Sequence, residues 1–315
     1  MRRLATILVF PAVMAGALFS AWLGLQQGVA PALIPILVMP VVFGLMVLFE
    51  RLLPYKPVWN KNDGDLSADI LHMLIAQLAI PRLIKPVFVI LAFTVASSLL
   101  ARAEFQPFGW PHHWPLALQV GLMLLIAEFG RYWVHRAAHR FNFLWKLHAV
   151  HHSPNRLYWL NAGRFHPIEK VIFLIPEMVP FIVLGTNIET LTLYFIFNGV
   201  HGVFQHSNIE VKLGPLNYIF SMTELHRWHH SKIIKESDSN FGNNLIIFDI
   251  VFGTFFWPRE RAVAVIGLYN SEYPKSYWGH LKAPFMGSVD KPADYAEKKA
   301  FYDRQVLEQA RQAGF

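Results

Sequence analysis

The sequence predicts an all-α membrane protein: a polytopic helical bundle with a cytoplasmic helical cap that carries a histidine-rich dinuclear metal site. Hydrophobic residues make up 54% of the chain and charged residues only 16%, whereas soluble domains carry about 25% charged residues. The 26 phenylalanines and 10 tryptophans suit lipid-facing and interfacial surfaces. The histidines are concentrated, since 13 of the 15 fall between His112 and His230.

Two features of the composition exclude other classes of protein. The chain contains no cysteine, which excludes disulfides, thiolate-bound zinc or iron–sulfur clusters, and thiol nucleophiles. The formal net charge of +7 would suit nucleic acid, but the basic residues flank apolar segments. We therefore interpret them as topology signals and contacts to anionic lipid headgroups, and we expect no nucleic-acid partner.

The first 50 residues predict a membrane hairpin. Arg2 and Arg3 precede an apolar run from about Leu4 to Leu25, and a second apolar run covers residues 31–48. A cleavable signal peptide is the alternative, because a basic start followed by small residues also occurs in signal peptides. The length of the first run and the second run directly after it favour two uncleaved helices. We assign residues 1–50 to an N-terminal membrane hairpin.

The middle of the chain predicts two further crossings. Residues 50–65 are polar and basic, which marks the cytoplasmic side. In the apolar stretch 70–100, Pro81 and Pro86 predict an interfacial helix that is followed by a spanning helix from about Val87. The next loop, around Pro107, then lies on the opposite face.

Later apolar segments return the chain to the basic side. Residues 116–134 re-enter the membrane and deliver the first histidines to the cytoplasmic face. Residues 168–184 and 188–204 form a second hairpin with its turn at residues 185–187, and this hairpin either spans the membrane or is re-entrant. From residue 259 the composition becomes soluble, so we expect residues 259–315 to form a C-terminal cytoplasmic tail with an amphipathic helix near its end.

Three histidine motifs carry the chemistry. One is H-x-x-x-H and two are H-x-x-H-H, and on a helix the positions i, i+3 and i+4 share one face, so each motif should present its imidazoles as one cluster. Neutral imidazole is the commonest nitrogen ligand of iron, zinc or copper. Eight imidazoles exceed the needs of one ion and suit two. The eight are His135, His139, His148, His151, His152, His226, His229 and His230.

The order of these motifs resembles the fatty acid hydroxylase and sterol desaturase superfamily of integral-membrane di-iron enzymes. The resemblance runs from about Glu50 to Pro258 and rests on YWVHRAAHRFNFLWKLHAVHHS, LNAGRFHPIE, FQHSNI, ELHRWHHS and SDSNFGNNLIIFDIVFGTF. The last of these blocks is also similar to the alkylglycerol monooxygenase branch. Residues 51–258 are accordingly assigned as a fatty acid hydroxylase-like membrane catalytic domain.

The resemblance implies two iron ions, Fe²⁺ or Fe³⁺, with dioxygen as co-substrate, and zinc is a possible substitute for iron. His166 and His206 match family histidines and complete the predicted set of ten ligands, whereas His201 lies about 140° around a helix from His206 and is expected to pack structurally. We expect His72 to be structural and His280 to lie at the surface. No catalytic residue beyond the ligands is predicted.

Several polar residues near the ligands are candidates for orienting the imidazoles through their second ring nitrogens. Glu128 is one, at a position where relatives more often carry aspartate. Arg164 is also a candidate, and the alternative for it is to meet a headgroup phosphate or carboxylate. The complete set is Glu128, Asn161, Arg164, Glu169, Glu224, Asn243 and Asp249.

The function that the resemblance implies is oxygen insertion into a C–H bond of a fatty acyl, ether-lipid or sterol-like membrane substrate. A desaturase of the same superfamily is the near alternative. A membrane protein that binds or transports metal is the alternative from a different class, although transport sites lie near the membrane midplane, whereas these motifs flank the spans. The chain has no flavin or haem motif, so electrons must come from a ferredoxin, a b-type cytochrome or a reduced pterin.

Overall fold

The computed structural model of the chain describes residues 2–100, 109–270, 272–286, 290, 300, 303–308 and 311, and of residues 91–100 the backbone alone. The described residues are helical, with short 3₁₀ turns and isolated antiparallel bridges. The helices are α1 Arg2–Gln26, α2 Ile34–Leu52, α3 Leu66–His72, α4 Ile80–Leu100, α5 Leu116–Arg140, α6 Asn142–His152, α7 Pro167–Leu184, α8 Ile188–His206, α9 Thr223–His229, α10 Ile234–Ser237, α11 Ile247–Val251 and α12 Tyr277–Lys282.

Four helical segments are long and apolar enough to cross a membrane. They are Arg2–Gln26, Ile34–Leu52, Leu66–Ile90 and Leu116–Arg140. A segment of 25 helical residues is about 37 Å long, which exceeds the roughly 30 Å of a bilayer's hydrocarbon core. The prediction of an all-α, multi-pass membrane protein is thereby confirmed.

The third of these segments contradicts the predicted boundary at the prolines. The helix continues through Pro81 and Pro86, and a π-helical segment, Met73–Ala79, joins α3 to α4. Pro81 closely follows the π-helical segment, and the wider π-helical turn relieves the crowding by the proline ring. The helix break expected at these prolines is therefore wrong, whereas the division into an interfacial part and a spanning part from about Val87 stays a prediction.

Helix α8 is the centre of the bundle. It packs against α1, α2 and α5, and most of its side chains are buried. Its N-cap is Asn187, whose side chain accepts a hydrogen bond from the backbone N–H of Thr190, and the C-cap of α7 is Gly185 in the left-handed conformation. The turn predicted between the two apolar segments is thus confirmed, and it consists of a left-handed glycine followed by an N-cap.

The tip of the α7–α8 hairpin lies level with the first turn of α5. The backbone N–H of Trp110 donates to the carbonyl of Leu184, and the side-chain amide of Asn187 donates to Gln119 Oε1 at 2.7 Å. The hairpin therefore extends along the length of α5, with its far end beside the loop that precedes α5.

The start of α1 and the ends of α2 and α8 meet at the other end of the bundle. Arg2 forms an ion pair with Glu210 at 3.1 Å, and the backbone N–H of Tyr55 donates to the carbonyl of Asn208. The buried carboxylate of Glu50 accepts from the backbone N–H of Asn208 at 2.9 Å. Because Asn208 follows the last residue of α8 closely, the histidine-bearing elements lie at this end.

The described part of the predicted C-terminal tail packs onto the histidine-bearing cap. Val263 and Ile266 are buried in a cluster with Trp59, Leu157 and Trp228. The backbone N–H of Gly267 donates to the carbonyl of His230, so this segment contacts a predicted ligand directly. The amphipathic helix predicted near the C-terminus lies largely outside the described residues.

Candidate metal centre

Nine of the ten predicted ligands form two adjacent groups in which the possible ligand atoms lie within 4.8 Å of one another. The nine side chains are almost entirely buried at the ends of α5 and α8 and on α6 and α9. The five-histidine group consists of His135, His139, His148, His152 and His229. The four-histidine group consists of His151, His206, His226 and His230.

Each H-x-x-H-H motif divides its histidines between the two groups. On α6, His148 and His152 join the five-histidine group, whereas His151 joins the other. The second motif does the reverse, since its outer pair joins the four-histidine group and only His229 joins the five-histidine group. The prediction of one cluster for each motif holds for His135 and His139 but is wrong for both H-x-x-H-H motifs. In these motifs, positions i and i+4 converge on one group, while position i+3 is turned to the neighbouring group.

Backbone carbonyls fix the protonation of four of these imidazoles. The Nδ1 atoms of His135, His151, His206 and His229 lie 2.7–3.2 Å from the carbonyl oxygens of Phe241, Arg164, Gly202 and Ser239, respectively. A carbonyl oxygen only accepts hydrogen bonds, so each Nδ1 carries the proton and donates it. The Nε2 atom of each ring is then an unprotonated nitrogen with a free lone pair.

The donor set fits a cation. His151 and His206 face each other through Nε2 atoms 3.1 Å apart, and both atoms are unprotonated by the argument above, so no hydrogen bond joins them. Burial, together with the neighbouring imidazole of His206, lowers the pKa of His151 well below its ordinary value of 6.5, which keeps that ring neutral. Two nitrogens that share one ion at about 2.1 Å lie about 3.0–3.4 Å apart, as these do.

The imidazoles of the five-histidine group also face one another through their Nε2 atoms. Successive Nε2 atoms lie 3.0–3.1 Å apart in the order His135, His148, His152, His229. The Nε2 atom of His139 is buried and has no hydrogen-bond partner among the described residues. A buried nitrogen without a partner is costly in an apolar interior, and a shared cation removes that cost.

Two carboxylates contact the five-histidine group from outside. Glu169 Oε1 lies 2.5 Å from His148 Nδ1, and Asp238 Oδ1 lies 3.3 Å from His139 Nδ1. Glu169 is thus placed where we predicted an orienting residue. Sequence reasoning missed Asp238, because it lies 99 residues from His139 and outside the histidine motifs.

The tenth predicted ligand, His166, lies outside both groups. It is the N-cap of α7, and its Nδ1 accepts a hydrogen bond from the backbone N–H of Ile168. Its Nε2 donates to the carbonyl of Leu281 at 3.3 Å. Both ring nitrogens therefore have partners, and the His-Pro pair acts as a helix start, the alternative that such a pair allows.

Three other predicted orienting residues act through the backbone or through other side chains. Glu128 contacts no imidazole and instead accepts hydrogen bonds from the backbone N–H groups of residues 243–245. The side chain of Asn243 accepts a hydrogen bond from Arg131 and donates one to Asn198. Asp249 accepts from the backbone N–H of Phe241 and so holds the loop whose carbonyl binds His135.

Arg164 supports the site from two sides. Its backbone carbonyl accepts a hydrogen bond from Nδ1 of His151. Its buried guanidinium forms ion pairs with the carboxylates of Asp65 and Asp69. Arg156 donates to Asp65 at 2.7 Å, which closes a buried network of four charges. The headgroup contact that was the alternative for Arg164 is thus replaced by carboxylates of the chain itself.

The other two predicted candidates contribute to packing. Asn161 donates to Asp69 and belongs to the same network, whereas Glu224 accepts from the backbone N–H of Leu213 and from Asn217. His201 packs among the rings of Phe10, Phe197 and Phe220, in agreement with the predicted structural role.

His280 corrects another expectation, since we predicted a surface position. It is fully buried, and its Nδ1 lies 3.0 Å from Nε2 of His72, whose own Nδ1 donates to the carbonyl of Phe165. The ring of Phe165 stacks on His151 at 4.5 Å. The pair therefore connects α12, in the predicted tail, to the cap around the metal centre.

Comparison with known proteins agrees with this geometry. The sequence profile of the fatty acid hydroxylase family matches residues 120–254, a range that includes all nine clustered histidines. Ornithine lipid hydroxylase OlsE of Rhizobium tropici is 35% identical over 280 residues, which cover 88% of this chain and 83% of that protein. No solved structure shows significant similarity to the chain.

Two more distant relatives share the central region. Alkylglycerol monooxygenase of Xenopus tropicalis is 33% identical over 246 residues, covering 74% of this chain and 49% of that protein. A putative Delta(7)-sterol-C5(6)-desaturase 2 of Arabidopsis thaliana is 29% identical over 145 residues, covering 45% of this chain and 49% of that protein. The chain therefore spans about half the length of these two relatives.

Proposed function

Because the chain belongs to the fatty acid hydroxylase family, we propose that it is a membrane-bound di-iron monooxygenase that hydroxylates a lipid. Oxidoreductase activity on lipids fits the hydroxylase and monooxygenase relatives. The observation that supports a dinuclear centre most strongly is the pair of adjacent histidine groups with inward-facing, unprotonated Nε2 atoms. We propose the nine clustered histidines as ligands and leave out His166, because both its ring nitrogens have protein partners.

When bound, two iron ions would activate dioxygen, so that one oxygen atom enters a lipid C–H bond and the other leaves as water after uptake of two electrons and two protons. The protein holds the imidazoles in the metal-binding tautomer through the carbonyls and carboxylates behind them. Phe165, Phe173 and Phe241 pack against the ligand rings and exclude water from the centre.

The substrate is proposed from the relative that covers most of the chain. Its name assigns it an ornithine lipid, so an ornithine-containing or related acyl lipid is the first substrate to test. Expression of the chain in a bacterium that makes the unhydroxylated lipid should produce the same lipid with one additional oxygen atom, as measured by mass spectrometry. A product that has instead lost two hydrogen atoms would favour the desaturase alternative.

An external electron donor is part of this proposal. The two electrons would come from a ferredoxin, a b-type cytochrome or a reduced pterin. Comparison of these three donors with the purified protein and its lipid would identify the donor that supports product formation. No product with any donor, from a protein that holds both metal ions, would count against the monooxygenase function.

We also predict the metal content. Protein purified in mild detergent should contain about two metal ions per chain, since two separate nitrogen groups are present. Zinc is expected to replace part of the iron after overexpression, because it binds imidazole more tightly than ferrous iron does. Elemental analysis that gives one ion or none in a folded sample would contradict the dinuclear centre.

Metal transport is less well supported. A transport site typically lies near the membrane midplane between broken helices, whereas the two groups here lie at the ends of α5 and α8 and on the short helices α6 and α9. Uptake of metal into vesicles that contain the protein, with no oxygen-dependent lipid product, would favour transport.

A further inference from the structure

We infer that the two metal sites are unequal, with the five-histidine group binding its ion more tightly than the four-histidine group, and that Glu169 is the main cause. This inference rests on the proposed dinuclear centre. It concerns the affinities of the two sites and is tested by metal binding, without any measurement of lipid hydroxylation.

The first observation is the kind of hydrogen-bond partner that lies behind the imidazoles of each group. Two ligands of the five-histidine group have carboxylate partners, since His148 contacts Glu169 and His139 contacts Asp238. Two more ligands, His135 and His229, have carbonyl partners. Four of five imidazoles in this group are therefore oriented from behind, and two of them by a carboxylate.

The four-histidine group has only neutral partners among the described residues. His151 and His206 donate to the carbonyls of Arg164 and Gly202. The Nδ1 atoms of His226 and His230 are buried and have no hydrogen-bond partner there. Half of this group is thus not oriented by a hydrogen bond at Nδ1, and no carboxylate of the described residues contacts it.

The chemistry of the contact explains the expected difference. A carboxylate that accepts the Nδ1 proton increases the basicity of the other nitrogen and fixes the orientation of the ring, and loss of such a partner typically weakens metal binding about 10–100-fold. Glu169 should matter more than Asp238, because the Glu169 side chain is 3% exposed, whereas that of Asp238 is 28% exposed and screened by water.

The measurement has to be made at equilibrium. His139 and His152 line a pocket together with Asp238 and Lys232, whereas the four-histidine group is enclosed. Rates of metal loss would therefore mix access with affinity. Metal-free protein in detergent should instead be titrated with Zn²⁺ or Co²⁺ in metal buffers, with occupancy followed by elemental analysis and by Co²⁺ absorbance.

Wild-type protein is expected to fill two sites in separate steps. Glu169→Gln should weaken the tighter step about 10–100-fold and leave the other unchanged, and Asp238→Asn should weaken the same step less. Glu224→Gln is the matched control, because this carboxylate precedes His226 by two residues but binds Leu213 and Asn217. It should change neither step.

A second pair of variants identifies the sites in case Glu169→Gln does not fold. His139→Ala should remove or weaken the tighter step, and His206→Ala the weaker one. The inference is overturned if wild-type protein fills both sites with the same affinity, or if Glu169→Gln weakens both steps or neither. Two unequal sites in a protein that oxidises no lipid would leave the inference intact and count against the proposed function.

Discussion

His151 and His206 show why we propose the histidine groups as a site for cations rather than as a packed polar cluster. Each ring donates its only proton to a backbone carbonyl, so the facing Nε2 atoms repel each other at 3.1 Å until a positive charge lies between them. A stable protein tolerates such an arrangement only where a bound ligand compensates for it. The same reasoning makes each group sensitive to the loss of a single ring.

The first prediction concerns one ligand from each group. His151→Ala and His229→Ala should each abolish oxygen-dependent product formation, because each removes a ligand of a centre that acts as a unit. The double variant should be no worse than either single variant, the non-additivity expected of residues with a joint function. Product formation by the three variants and the wild type would be measured on the lipid identified above.

A folding control is required for this experiment, because metal binding also contributes to folding. Each variant should insert into membranes and keep its size in detergent. His113→Ala is the matched silent control, since His113 is an exposed histidine outside both groups. Folded His151→Ala and His229→Ala proteins with near-normal hydroxylation would show that the groups are not the catalytic centre.

His280 is the subject of the second prediction. His280→Ala should lower the free energy of unfolding by about 1–3 kcal/mol, because it leaves Nε2 of the buried His72 without its partner. The metal content of the folded protein should not change, since His280 belongs to neither group. Thermal unfolding in detergent, with elemental analysis of the same samples, would measure both effects, and an unchanged stability would contradict the prediction.

The sequence located the clustered histidines better than it located their partners. Motif spacing and family resemblance pointed to all nine clustered histidines, because ligands on one helix recur at i, i+3 and i+4. The partners come from distant segments: Asp238 lies 99 residues from His139, and His280 lies 208 residues from His72. No local pattern encodes such contacts, so Glu128 was assigned to an imidazole although it binds the loop 243–245.

The short helices α6 and α9 connect the two groups into one centre. Each contributes histidines to both, so a shift of either helix would disturb both groups at once. Loops hold these helices in place, above all the segment around Arg164, which the buried carboxylates of Asp65 and Asp69 fix. This network lies just before and within α3, so α3 helps to position His151 through the carbonyl of Arg164.

Asp65 provides the third prediction. Burial alone would raise its pKa, but the hydrogen bond from Arg156 and the charge of Arg164 hold the pKa below its ordinary value of 3.8. The ionised form is therefore favoured by folding, so its contribution to stability is complete above about pH 4 and is lost as the pH falls through the lower pKa of the folded state.

Asp65→Asn should therefore lower the free energy of unfolding by about 1.5–3 kcal/mol at neutral pH. The difference between the variant and the wild type should shrink as the pH falls below about 4. Unfolding midpoints measured from pH 7 to pH 3 would test this, because the effects of histidine protonation are common to both proteins. A difference that stays constant with pH would exclude the ionised Asp65 as its cause.

The helices were predictable where a cap, a turn or an apolar run marks their ends. They were not predictable where contacts with distant segments determine the boundary or the burial. Gly185 and Asn187 marked the α7–α8 turn correctly. Pro81 and Pro86 led to a wrong prediction of a helix break, because the helix continues across both prolines after a π-helical segment. The apparently soluble segment after residue 259 covers the cap, and its burial depends on Trp59 and Trp228, far away in the sequence.

Charge and topology agree across the bundle. The helix ends near the histidines carry the basic residues Arg2, Arg51 and Arg140. The opposite end of the bundle carries the segment from Trp110 to Leu116, which contains no arginine or lysine. Positive residues are enriched on the cytoplasmic side of membrane proteins. We therefore propose that the metal centre lies on the cytoplasmic face, where a soluble electron donor can reach it.

The last prediction concerns this topology and the α7–α8 hairpin, whose depth the sequence left open. Helix α8 has 19 residues and is therefore about 28 Å long, close to the thickness of a bilayer's hydrocarbon core. Its start contacts Gln119 in the first turn of α5, so both lie at the same end of the bundle. We expect the hairpin to span the membrane and to expose Glu189 on the face opposite the histidines.

Cysteine labelling tests this topology. The chain has no native cysteine, so single cysteines can be labelled without background. Cysteines at Arg140 and Arg259 should react from the cytoplasmic side, and cysteines at His113 and Glu189 from the other. Labelling of Arg140 and Arg259 from opposite sides would refute the topology. A cysteine at Glu189 that reacts from neither side, while the one at His113 reacts normally, would instead indicate a re-entrant hairpin whose tip stays inside the bilayer.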